Sequence, residues 1–565
     1  MHVLGISCFY HDAAAALVRD GQLVAAAEEE RFSRRKHDFG WPANAIAYCL
    51  REGGVTINDI DHVVFYEKPI LKFERILSCY VSTWPLSYIA FAKALPLWLK
   101  DRLWLKDFIR KQLGTERDIL FAEHHVSHAA SAFLVSPFEE ATILTLDGVG
   151  EWTTTTMGWG RGRELQLTRE IRFPHSLGLF YSAITAYLGF EVNDAEWKVM
   201  GLAPYGKPTQ VEKCRELIRT RPDGSFALNM RYFSHHYSAQ RMFNRRFEHL
   251  FGQPARVPES ELSEFHQDVA HSGQQVFEEV AVNLARAAHE LHPSDNLCLA
   301  GGCALNTVAN WKIMERTGFK RLFVQPAAGD SGGAVGAAFY IYNTVLGQPR
   351  AFTLRDVYLG PAFGEAEMEA ALRAAGTKLR WEKLPRAELL RRTAAVLRDD
   401  KVVGWFQGRM EFGPRALGNR SILANPMNPE MKKIVNSKIK FREYFRPFAP
   451  AVLREHADEY FEMNGQESPF MLLVPPVRTE KRTVIPAVTH TDGTGRVQTV
   501  TPESNALFYE LIRQFAALTG VPVLLNTSFN VRGEPIVCTP PDAVNCFLNT
   551  GLDHLVMGDM LASKP

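Results

Sequence analysis

Two histidines and two aspartates have the residue types and spacing of a metal site. His124 and His128 lie four residues apart in a predicted helix, so their imidazoles share one face. Asp147 and Asp330 each end a predicted strand at a glycine-rich turn, where an α/β fold presents a carboxylate to its cleft. Two imidazoles and two carboxylates suit a divalent ion such as Fe²⁺, Mn²⁺ or Zn²⁺. Taken singly, each aspartate could instead cap a turn or a helix.

Glycine pairs follow three predicted strands and predict a phosphate-binding cleft. They are the glycines after Asp147, the pair Gly301-Gly302 and the pair Gly332-Gly333. Glycine lets the backbone approach a phosphate, and the N–H groups at a helix start bind the anion. The sequence contains neither GxxxxGK[ST] nor a placed GxGxxG, so a P-loop and a dinucleotide fold are not supported. Any single pair could be a simple turn, but three together favour a nucleotide site.

The densest group of cations lies in the C-terminal third of the chain. Residues 408–421 place three arginines among glycine, proline and asparagine. Further polar residues follow downstream, namely Lys438, Lys440, Arg442, Arg446, residues 490–496 and residues 526–530. Arginines fixed in this way can hold a small oxyanion with two hydrogen bonds each, while Asn and Ser bind its neutral groups. A solvated basic face is the alternative, but its arginines would alternate with Glu and Ser. We therefore predict a phosphate-like ligand.

Composition excludes several classes of function. The 565 residues include 64 Lys and Arg against 63 Asp and Glu. The resulting charge of +1 argues against a nucleic-acid partner, which needs a basic face. Hydrophobic residues make up 46% and charged residues 22%, as in soluble globular proteins. The eight cysteines form no CxxC pair, and the N-terminus has no signal-peptide pattern, so we expect a cytoplasmic protein.

One apolar segment, residues 81–99, tests the expectation of a soluble protein. Its single charge is Lys93, but Pro85 and Pro96 interrupt it. A membrane span needs ~20 uninterrupted apolar residues. We expect no membrane partner and instead a packed helical pair that lines a pocket or an oligomer contact, a homodimer being one such assembly.

The order of the predicted strands indicates a duplicated α/β architecture. A strand and a following hairpin are predicted from the apolar runs 3–8, 13–19 and 23–28. The same pattern returns in 141–146, 153–159 and 165–171. A break near residue 355 then starts a new unit, which gives predicted domains at 1–355 and 356–565.

At this point the chain resembles a known family, the O-carbamoyltransferases of the NodU/CmcH type that act on antibiotics and nodulation factors. The motifs occur in both domains, and the arginine-rich one is very specific. They are GISCFYHDAAAAL (5–17), EEERFSRRKHD (28–38), HHVSHAASAF (124–133), LDGVGEW (146–152), EWKVMGLAPYG (196–206), LAGGCALN (299–306), GDSGGAVGAA (329–338), GRMEFGPRALGNRSILA (408–424), THTDGTGRVQ (489–498) and LNTSFNVRGEPIV (525–537).

The resemblance implies a fold and a two-step reaction. The N-terminal domain would have the actin/hexokinase-type ATPase fold, similar to tRNA threonylcarbamoyl-transfer proteins. The C-terminal domain would be an α/β carbamoyladenylate-forming domain of the YrdC-like kind. It would cleave carbamoyl phosphate and join the carbamate to AMP from ATP, which is used with Mg²⁺, and pyrophosphate would leave. The N-terminal domain would then pass the carbamoyl group to a hydroxyl of a small-molecule natural product, in antibiotic or secondary-metabolite biosynthesis.

The resemblance also implies site residues, by matching position. Carbamoyl phosphate would be held by Arg415, Lys440, Arg446, Arg496 and Ser528. The metal, Fe²⁺ before other divalent ions, would be held by His124, His128, Asp147 and Asp330. The nucleotide would lie against Gly301, Gly302 and Asn306, with Lys198 near a phosphate. His11 would take the proton of the acceptor hydroxyl, assisted by Lys36.

Three other functions remain open from the sequence. A tRNA modification enzyme of the threonylcarbamoyladenosine type would need a basic face. An ATPase or sugar kinase with the same N-terminal fold would leave the C-terminal arginines without a task. A regulatory module would bind metal and nucleotide without releasing pyrophosphate.

Overall fold

The chain forms two units in the computed structural model, which describes residues 1–99, 103–238 and 240–565. The N-terminal unit comprises Met1–Glu29 and Phe39–Leu354, and the C-terminal unit comprises Glu30–Asp38 and Arg355–Pro565. The short segment Glu30–Asp38 therefore belongs to the C-terminal unit although its neighbours in sequence do not. The domains predicted from the sequence, 1–355 and 356–565, place this segment in the N-terminal domain instead.

The first sheet of the N-terminal unit grows from the apolar runs at the start of the chain. Its strands β1 (His2–Ser7), β2 (Ala14–Arg19) and β3 (Gln22–Glu28) form an antiparallel meander. Asp20 and Gly21 turn the chain between β2 and β3 with φ of 48° and 75°, as a tight hairpin requires. Strands β4 (His62–Phe65) and β5 (Ile119–Phe121) extend the sheet in parallel, and its order is β3-β2-β1-β4-β5.

The second sheet repeats this topology. An antiparallel meander of β6 (Glu140–Leu146), β7 (Thr153–Arg161) and β8 (Glu164–Arg172) is followed by a separate pair, β9 (Ile218–Thr220) and β10 (Phe226–Leu228). Strands β11 (Asn296–Ala300) and β12 (Arg321–Val324) then add in parallel next to β6, giving the order β8-β7-β6-β11-β12. Each sheet therefore has its third, second, first, fourth and fifth strands in that order, which confirms the predicted duplication.

Helices cover the two sheets of the N-terminal unit. The first helix of the chain, α1 (Glu30–Ser33), lies in the C-terminal unit. Those of the N-terminal unit are α2 (Ala43–Glu52), α3 (Pro69–Ser82), α4 (Tyr88–Leu97), α5 (Leu105–Leu113), α6 (His124–Phe133), α7 (Leu177–Tyr187), α8 (Glu196–Leu202), α9 (Val211–Leu217), α10 (Arg245–Phe251), α11 (Glu264–Leu291), α12 (Thr307–Arg316) and α13 (Asp330–Phe339).

Helices α6 and α13 are buried together in the core of this unit. Because α13 reads SGGAVGAA after its first residue, its backbone can approach neighbours closely. A Cβ on Gly336 would collide with the carbonyl oxygen of Ser127 in α6, and one on Gly333 would collide with the ring of Tyr66. Gly336 therefore sets the distance between the two helices that bear metal-site residues, and Gly333 lets Tyr66 pack on α13.

Helices α3 and α4 and the turn between them expose apolar side chains. The most exposed include Ile70, Val81, Trp84, Leu86 and Ile89. The helical pair expected from the sequence is present. Among the described residues, none of the helices combines the length and apolar character needed to cross a bilayer.

The C-terminal unit is built on one mixed sheet. Its strands are β13 (Arg380–Lys383), β14 (Val403–Phe406), β15 (Arg420–Ala424), β16 (Ala449–Leu453), β17 (Gln498–Val500), β18 (Val523–Ser528), β19 (His554–Met557) and β20 (Met560–Ser563). Their order is β13-β20-β19-β14-β15-β18-β16-β17. Strand β15 pairs with both β14 and β18, and Ser421 of β15 lies opposite Ser528 of β18. The loop between β14 and β15, which carries the arginine-rich motif, therefore ends at the strand that pairs with Ser528.

The helices of this unit complete an α/β fold. They are α14 (Glu365–Ala374), α15 (Arg386–Arg398), α16 (Met431–Val435), α17 (Ala457–Tyr460), α18 (Pro502–Thr519) and α19 (Pro540–Leu548). The core is apolar and closely filled around Trp405, whose indole N–H donates to the carbonyl of Gly418 at 2.7 Å. The α/β fold class expected from the sequence is confirmed.

Candidate functional site

Four buried side chains in the N-terminal unit converge as the sequence predicted. The Nε2 atom of His124 lies 3.2 Å from Oδ2 of Asp147 and 3.0 Å from Nε2 of His128. Oδ1 of Asp330 lies 3.7 Å from both imidazole Nε2 atoms. One potential ligand atom from each of the four residues lies within 4.8 Å of all the others. Two imidazole nitrogens and two carboxylate oxygens at this spacing fit a divalent transition-metal ion.

The fold places each of these residues at the end of an element. His124 and His128 occupy the first turns of α6, and the His124 backbone N–H donates to Oε1 of Glu151 at 3.0 Å. Asp147 follows the last residue of β6, and Asp330 opens α13. The strand end and the two helix starts therefore bring together residues that are far apart in the chain.

The charges in the cluster shift the pKa values of the two imidazoles in opposite directions. Burial opposes protonation of His124, but Asp330 and Asp147 outweigh it and raise its pKa to about 9. Burial and the charge on His124 lower the pKa of His128 to about 3. Burial raises the pKa of Asp330 to about 6. These charges favour a proton on His124 over one on His128.

Three further residues surround the cluster and were not assigned from the sequence. Tyr66 donates its hydroxyl to Oδ2 of Asp330 at 3.2 Å. Glu67 accepts from the ammonium of Lys72 at 2.7 Å, and its Oε2 lies 3.9 Å from Nδ1 of His124. Burial raises the pKa of the Tyr10 hydroxyl, and the carboxylates of the cluster raise it further. Tyr66 and Glu67 directly follow β4, which is the same strand-end signal that identified Asp147.

The glycines predicted to approach a nucleotide have two different roles. Gly301 has a φ of 93°, and a Cβ there would collide with Leu146. The N–H of Gly302 donates to Oδ1 of Asp147 at 2.8 Å, so this turn orients a carboxylate of the metal cluster. Gly332, by contrast, faces the carbonyl oxygen of Ala327, so its lack of a side chain is needed for packing. The turn at Gly301 and Gly302 therefore remains a candidate for ligand contact, whereas helix packing accounts for Gly332.

Asn306 lies at the start of α12 with its amide already engaged. Its Oδ1 accepts from the backbone N–H of Ala309 at 3.1 Å and from Gln274, and its Nδ2 donates to Oε1 of Gln274 at 2.9 Å. The hydroxyl of Tyr181 donates to the same Gln274 oxygen at 2.6 Å. A role for Asn306 in holding adenosine stays a prediction. Its amide would have to contact adenosine while it also bonds to Gln274 and Ala309.

His11 and Lys198 belong to the N-terminal unit, whereas Lys36 belongs to the C-terminal unit. Nδ1 of His11 lies 2.9 Å from Oδ2 of Asp12, and its Nε2 lies 2.6 Å from the carbonyl oxygen of Asn193. Both ring nitrogens therefore face acceptors. The imidazole must give up one of these contacts before that nitrogen can take a proton from a substrate. The ammonium of Lys198 lies 5.4 Å from the ring centre of Phe190. The catalytic and nucleotide roles of these residues stay predictions.

The arginines of residues 408–421 do not all face one ligand. Arg409 donates to the carbonyl of Gly360 at 3.2 Å, and Arg420 donates to the carbonyl of Pro361 at 3.1 Å. The Arg420 guanidinium also lies 3.7 Å above the ring of Phe406. Arg409 and Arg420 therefore hold the backbone, which leaves Arg415 as the arginine of this motif available to a ligand.

Arg415 belongs to a cluster of cations with few carboxylates nearby. Burial lowers the pKa of Arg415 to about 10. Burial also lowers the pKa of Arg496, and the charges on Arg415 and Arg442 lower it further. Arg442 in turn feels the charge of Arg446, and Arg446 lies 3.3 Å from Glu443. The structure therefore brings Arg415, Arg446 and Arg496 together and adds Arg442, which position matching had not assigned.

Several polar atoms of this cluster have no hydrogen-bond partner among the described residues. They are Nε of Arg415, Nε of Arg496, Nη2 of Arg442 and Nε2 of His490. Buried guanidinium groups with unused donors are costly unless an anion binds them. The pattern is that of an anion site.

Lys440 supports the cluster by a different route. Its ammonium donates to the backbone oxygen and to Oγ of Ser528, the latter at 3.2 Å. It also lies 2.7 Å from Oδ1 and 3.0 Å from the backbone oxygen of Asn530. Three N–H groups facing four acceptors leave no hydrogen for a further ligand. Direct binding of carbamoyl phosphate by Lys440 would require this turn to rearrange, so in this arrangement Lys440 positions Ser528.

Glu411 organises the loop that carries Arg415 and was not identified from the sequence. Its Oε1 accepts the backbone N–H groups of Leu417 at 2.7 Å, Asn419 at 2.9 Å and Arg420 at 3.2 Å. The amide of Asn526 also donates to the carbonyl of Ala416 at 3.2 Å. A buried carboxylate that accepts several N–H groups fixes a loop more firmly than neutral contacts do. Its position four residues before Arg415, inside the motif, was the available signal.

Comparison with known proteins identifies the family. The family described as carbamoyltransferase N-terminus matches residues 2–339, and that described as carbamoyltransferase C-terminus matches residues 394–564. The chain is 41% identical over 571 residues to nodulation protein NolNO of Sinorhizobium fredii, covering 98% of this chain and 79% of that one. It is 30% identical over 588 residues to nodulation protein U of Rhizobium tropici, covering 100% and 96%. The chain therefore belongs to the carbamoyltransferase family, of the NodU type, and is a carbamoyl-transferring enzyme.

Another relative and several solved structures resemble the chain over most or part of its length. The uncharacterized protein sll1178 of Synechocystis sp. is 47% identical over 596 residues, covering 100% of this chain and 97% of that one. HypF of T. kodakarensis has a TM-score of 0.30 at 14% identity, covering 60% of this chain and 46% of that one. The ROK hexokinase of Thermus thermophilus has a TM-score of 0.28 at 15% identity, covering 60% and 98%. These scores are too low to add to the strand order described above.

Proposed function

We propose that this enzyme is an ATP-dependent O-carbamoyltransferase. It takes the carbamoyl group of carbamoyl phosphate, joins it to AMP and transfers it to a hydroxyl of a small-molecule natural product. The cofactors are ATP with Mg²⁺ and a divalent metal, with iron the first candidate. The observation that carries the proposal is the cluster of Arg415, Arg442, Arg446 and Arg496 in the C-terminal unit, with its unused N–H donors.

The arginine cluster is supported as the donor site by its charge and its donors. Carbamoyl phosphate is a small dianion, and guanidinium groups bind phosphate oxygens through paired hydrogen bonds. The Ser528 hydroxyl accepts from Lys440 at 3.2 Å and donates to Oδ1 of Asn530 at 2.7 Å, so it would offer a lone pair to the N–H groups of the neutral carbamoyl end. Water hydrolyses carbamoyl phosphate to inorganic phosphate and carbamate. The carbamate oxygen then attacks the α-phosphate of ATP, and pyrophosphate leaves.

The His/Asp cluster is supported as a metal site of the transfer half of the reaction. His124, His128, Asp147 and Asp330 would hold the ion, which would supply positive charge beside the adenylate phosphate. The nucleotide would lie against the turn at Gly301 and Gly302, where glycine lets the backbone come close to a ligand. Because the Gly302 N–H already donates to Asp147 at 2.8 Å, nucleotide and carboxylate would meet at one turn.

His11 is the candidate base for the acceptor. Histidine is the side chain most often used as a general base in catalysis. His11 would take the proton of the acceptor hydroxyl as its oxygen attacks the carbonyl carbon of carbamoyladenylate. The C–O bond to the phosphate then breaks, and AMP leaves with the electron pair.

The decisive experiment follows pyrophosphate. Purified protein is incubated with ATP, Mg²⁺, Fe²⁺ and ¹⁴C-carbamoyl phosphate, first alone and then with a panel of hydroxylated small molecules. Pyrophosphate release that depends on carbamoyl phosphate, followed by label in an acceptor, supports the proposal. Label appearing in transfer RNA would instead favour the tRNA modification alternative. ATP cleavage to ADP without pyrophosphate would favour an ATPase or sugar kinase.

A further inference from the structure

The segment Glu30–Asp38 contributes a buried arginine to the C-terminal unit. The guanidinium Nη2 of Arg31 donates to the carbonyl oxygen of Gly413 at 2.7 Å, across 382 positions of sequence. Its Nη1 lies 2.8 Å from Oε1 of Glu30, and the Arg31 side chain is only 4% exposed. Gly413 has a φ of 113° and lies two residues before Arg415. Arg31 therefore holds the backbone at the point where the arginine loop bends.

Phe32 packs against both segments that carry predicted donor ligands. It contacts a small buried cluster formed by Met410, Ala416, Ile536 and Cys538. Ala416 is the residue after Arg415, and Ile536 and Cys538 follow the turn that starts at Ser528. The aromatic ring therefore lies between the loop of Arg415 and the chain that leaves Ser528.

Arg34 completes the contact on the second of these segments. Its Nη1 donates to the carbonyl oxygen of Ile536 at 2.6 Å, and its Nη2 donates to that of Pro535 at 2.9 Å. The neighbouring N–H of Val537 donates to the carbonyl oxygen of Phe529 at 2.9 Å. This backbone hydrogen bond connects the chain that Arg34 holds to Phe529, the residue after Ser528.

We propose that Glu30–Asp38 is a positioning segment for carbamoyl phosphate binding, and this inference rests on the proposed function. Arg31 and Phe32 fix the loop that presents Arg415, and Arg34 fixes the chain beside Ser528. None of these three residues contacts the ligand in this proposal. A loop containing Gly413 and Gly418 has many conformations to lose on binding, and a prearranged loop avoids that cost. Residues 30–38 therefore raise the affinity of the C-terminal unit for carbamoyl phosphate.

The test uses the full chain and compares Arg31→Met, Phe32→Leu and Arg31→Lys. Equilibrium dialysis measures binding of ¹⁴C-carbamoyl phosphate and, as a second probe, of inorganic phosphate. Loss of a charge-assisted hydrogen bond that holds the loop should raise the Kd for carbamoyl phosphate about tenfold in Arg31→Met. Arg31→Lys, which keeps a donor, should recover part of the affinity, and kcat at saturating donor should change little. The matched control is Arg35→Met, because Arg35 is exposed and pairs with Asp38 at 2.8 Å.

Hydrogen exchange on the ligand-free variants separates this inference from the proposed function. Faster exchange at the N–H groups of residues 415–420 in Arg31→Met and Phe32→Leu supports positioning, whether or not carbamoyl phosphate proves to be the ligand. A wild-type protein that binds no carbamoyl phosphate would refute the proposed function instead. Unchanged exchange and unchanged Kd in both variants would overturn the positioning role. Should Arg31→Met fail to fold, the milder Phe32→Leu decides by the same two measurements.

Discussion

The Nε2 atoms of His124 and His128 lie 3.0 Å apart, close enough for the two imidazoles to share one proton. Asp147 and Asp330 lie within 3.7 Å of this pair. A divalent cation can replace the proton because all four donors already face the same point. The four side chains therefore form a site that is already arranged to bind a cation.

Removal of one imidazole should weaken metal binding. In His128→Ala the site keeps three donors, and we expect its affinity for Fe²⁺, Mn²⁺ or Zn²⁺ to fall at least about tenfold, as for other losses in metal sites. Metal content after dialysis and the metal-induced rise in Tm measure the effect. The control is His456→Ala, whose imidazole is exposed beside Glu459. Wild-type metal content in His128→Ala would show that the cluster is not the site.

Loss of either partly buried arginine should prevent adenylate formation. We expect Arg415→Ala and Arg496→Ala to raise the Kd for carbamoyl phosphate by about 10- to 100-fold, since each removes charge-assisted hydrogen bonds to a phosphate. Pyrophosphate release should disappear at moderate donor concentrations. Arg391→Ala serves as the control because Arg391 is exposed and pairs with Glu388. Normal donor affinity in Arg415→Ala would contradict the assignment of the donor site.

Removal of the candidate base should separate the two half-reactions. His11→Ala should release pyrophosphate at the wild-type rate, because the arginine cluster is untouched, but should lose about 10²- to 10⁴-fold in transfer to the acceptor, the usual contribution of a general base. Pyrophosphate and labelled acceptor are measured in the same reactions. His2→Ala, at the first residue of the central strand β1, is the control. The opposite result, with adenylate formation lost and transfer retained, would assign His11 to the donor step.

A single added methyl group should test the packing that sets the metal site. Gly336→Ala would push α13 away from the Ser127 carbonyl, and we expect the free energy of unfolding to fall by about 1–3 kcal/mol. Chemical denaturation measures the change. Gly329→Ala is the matched control, because a Cβ there meets no atom within 4 Å. Equal stability of the two variants would show that α13 can shift without cost.

Much of the fold was predictable because strand patterns and turns are local. The hairpin at Asp20 and Gly21 and its counterpart after β7 revealed the duplication. The excursion of Glu30–Asp38 was not predictable, because nothing in its composition distinguishes a helix turn that packs on its own unit from one that packs on another. Its contacts, such as that of Arg31 with Gly413, join positions that only the folded chain brings together.

The candidate site was predictable where residue types are rare and was missed where they are common. The His/Asp cluster followed from spacing and strand ends. Within the arginine-rich motif, however, the sequence could not separate Arg420, which holds backbone carbonyls, from Arg415, which has an unused donor. Glu411 was missed for a similar reason, since its place inside the motif does not reveal that its carboxylate accepts three backbone N–H groups.

The assignment of Glu30–Asp38 to the C-terminal unit has a practical consequence for dissecting the enzyme. A gene truncated to begin at Arg355 would encode a polypeptide without Phe32, and Met410 and Ile536 would be left facing water. A fragment that ends at Leu354 would contain residues 30–38 without the C-terminal residues against which they pack. Anyone separating the halves would do better to graft residues 30–38 onto the downstream piece through a flexible linker than to cut at the obvious boundary.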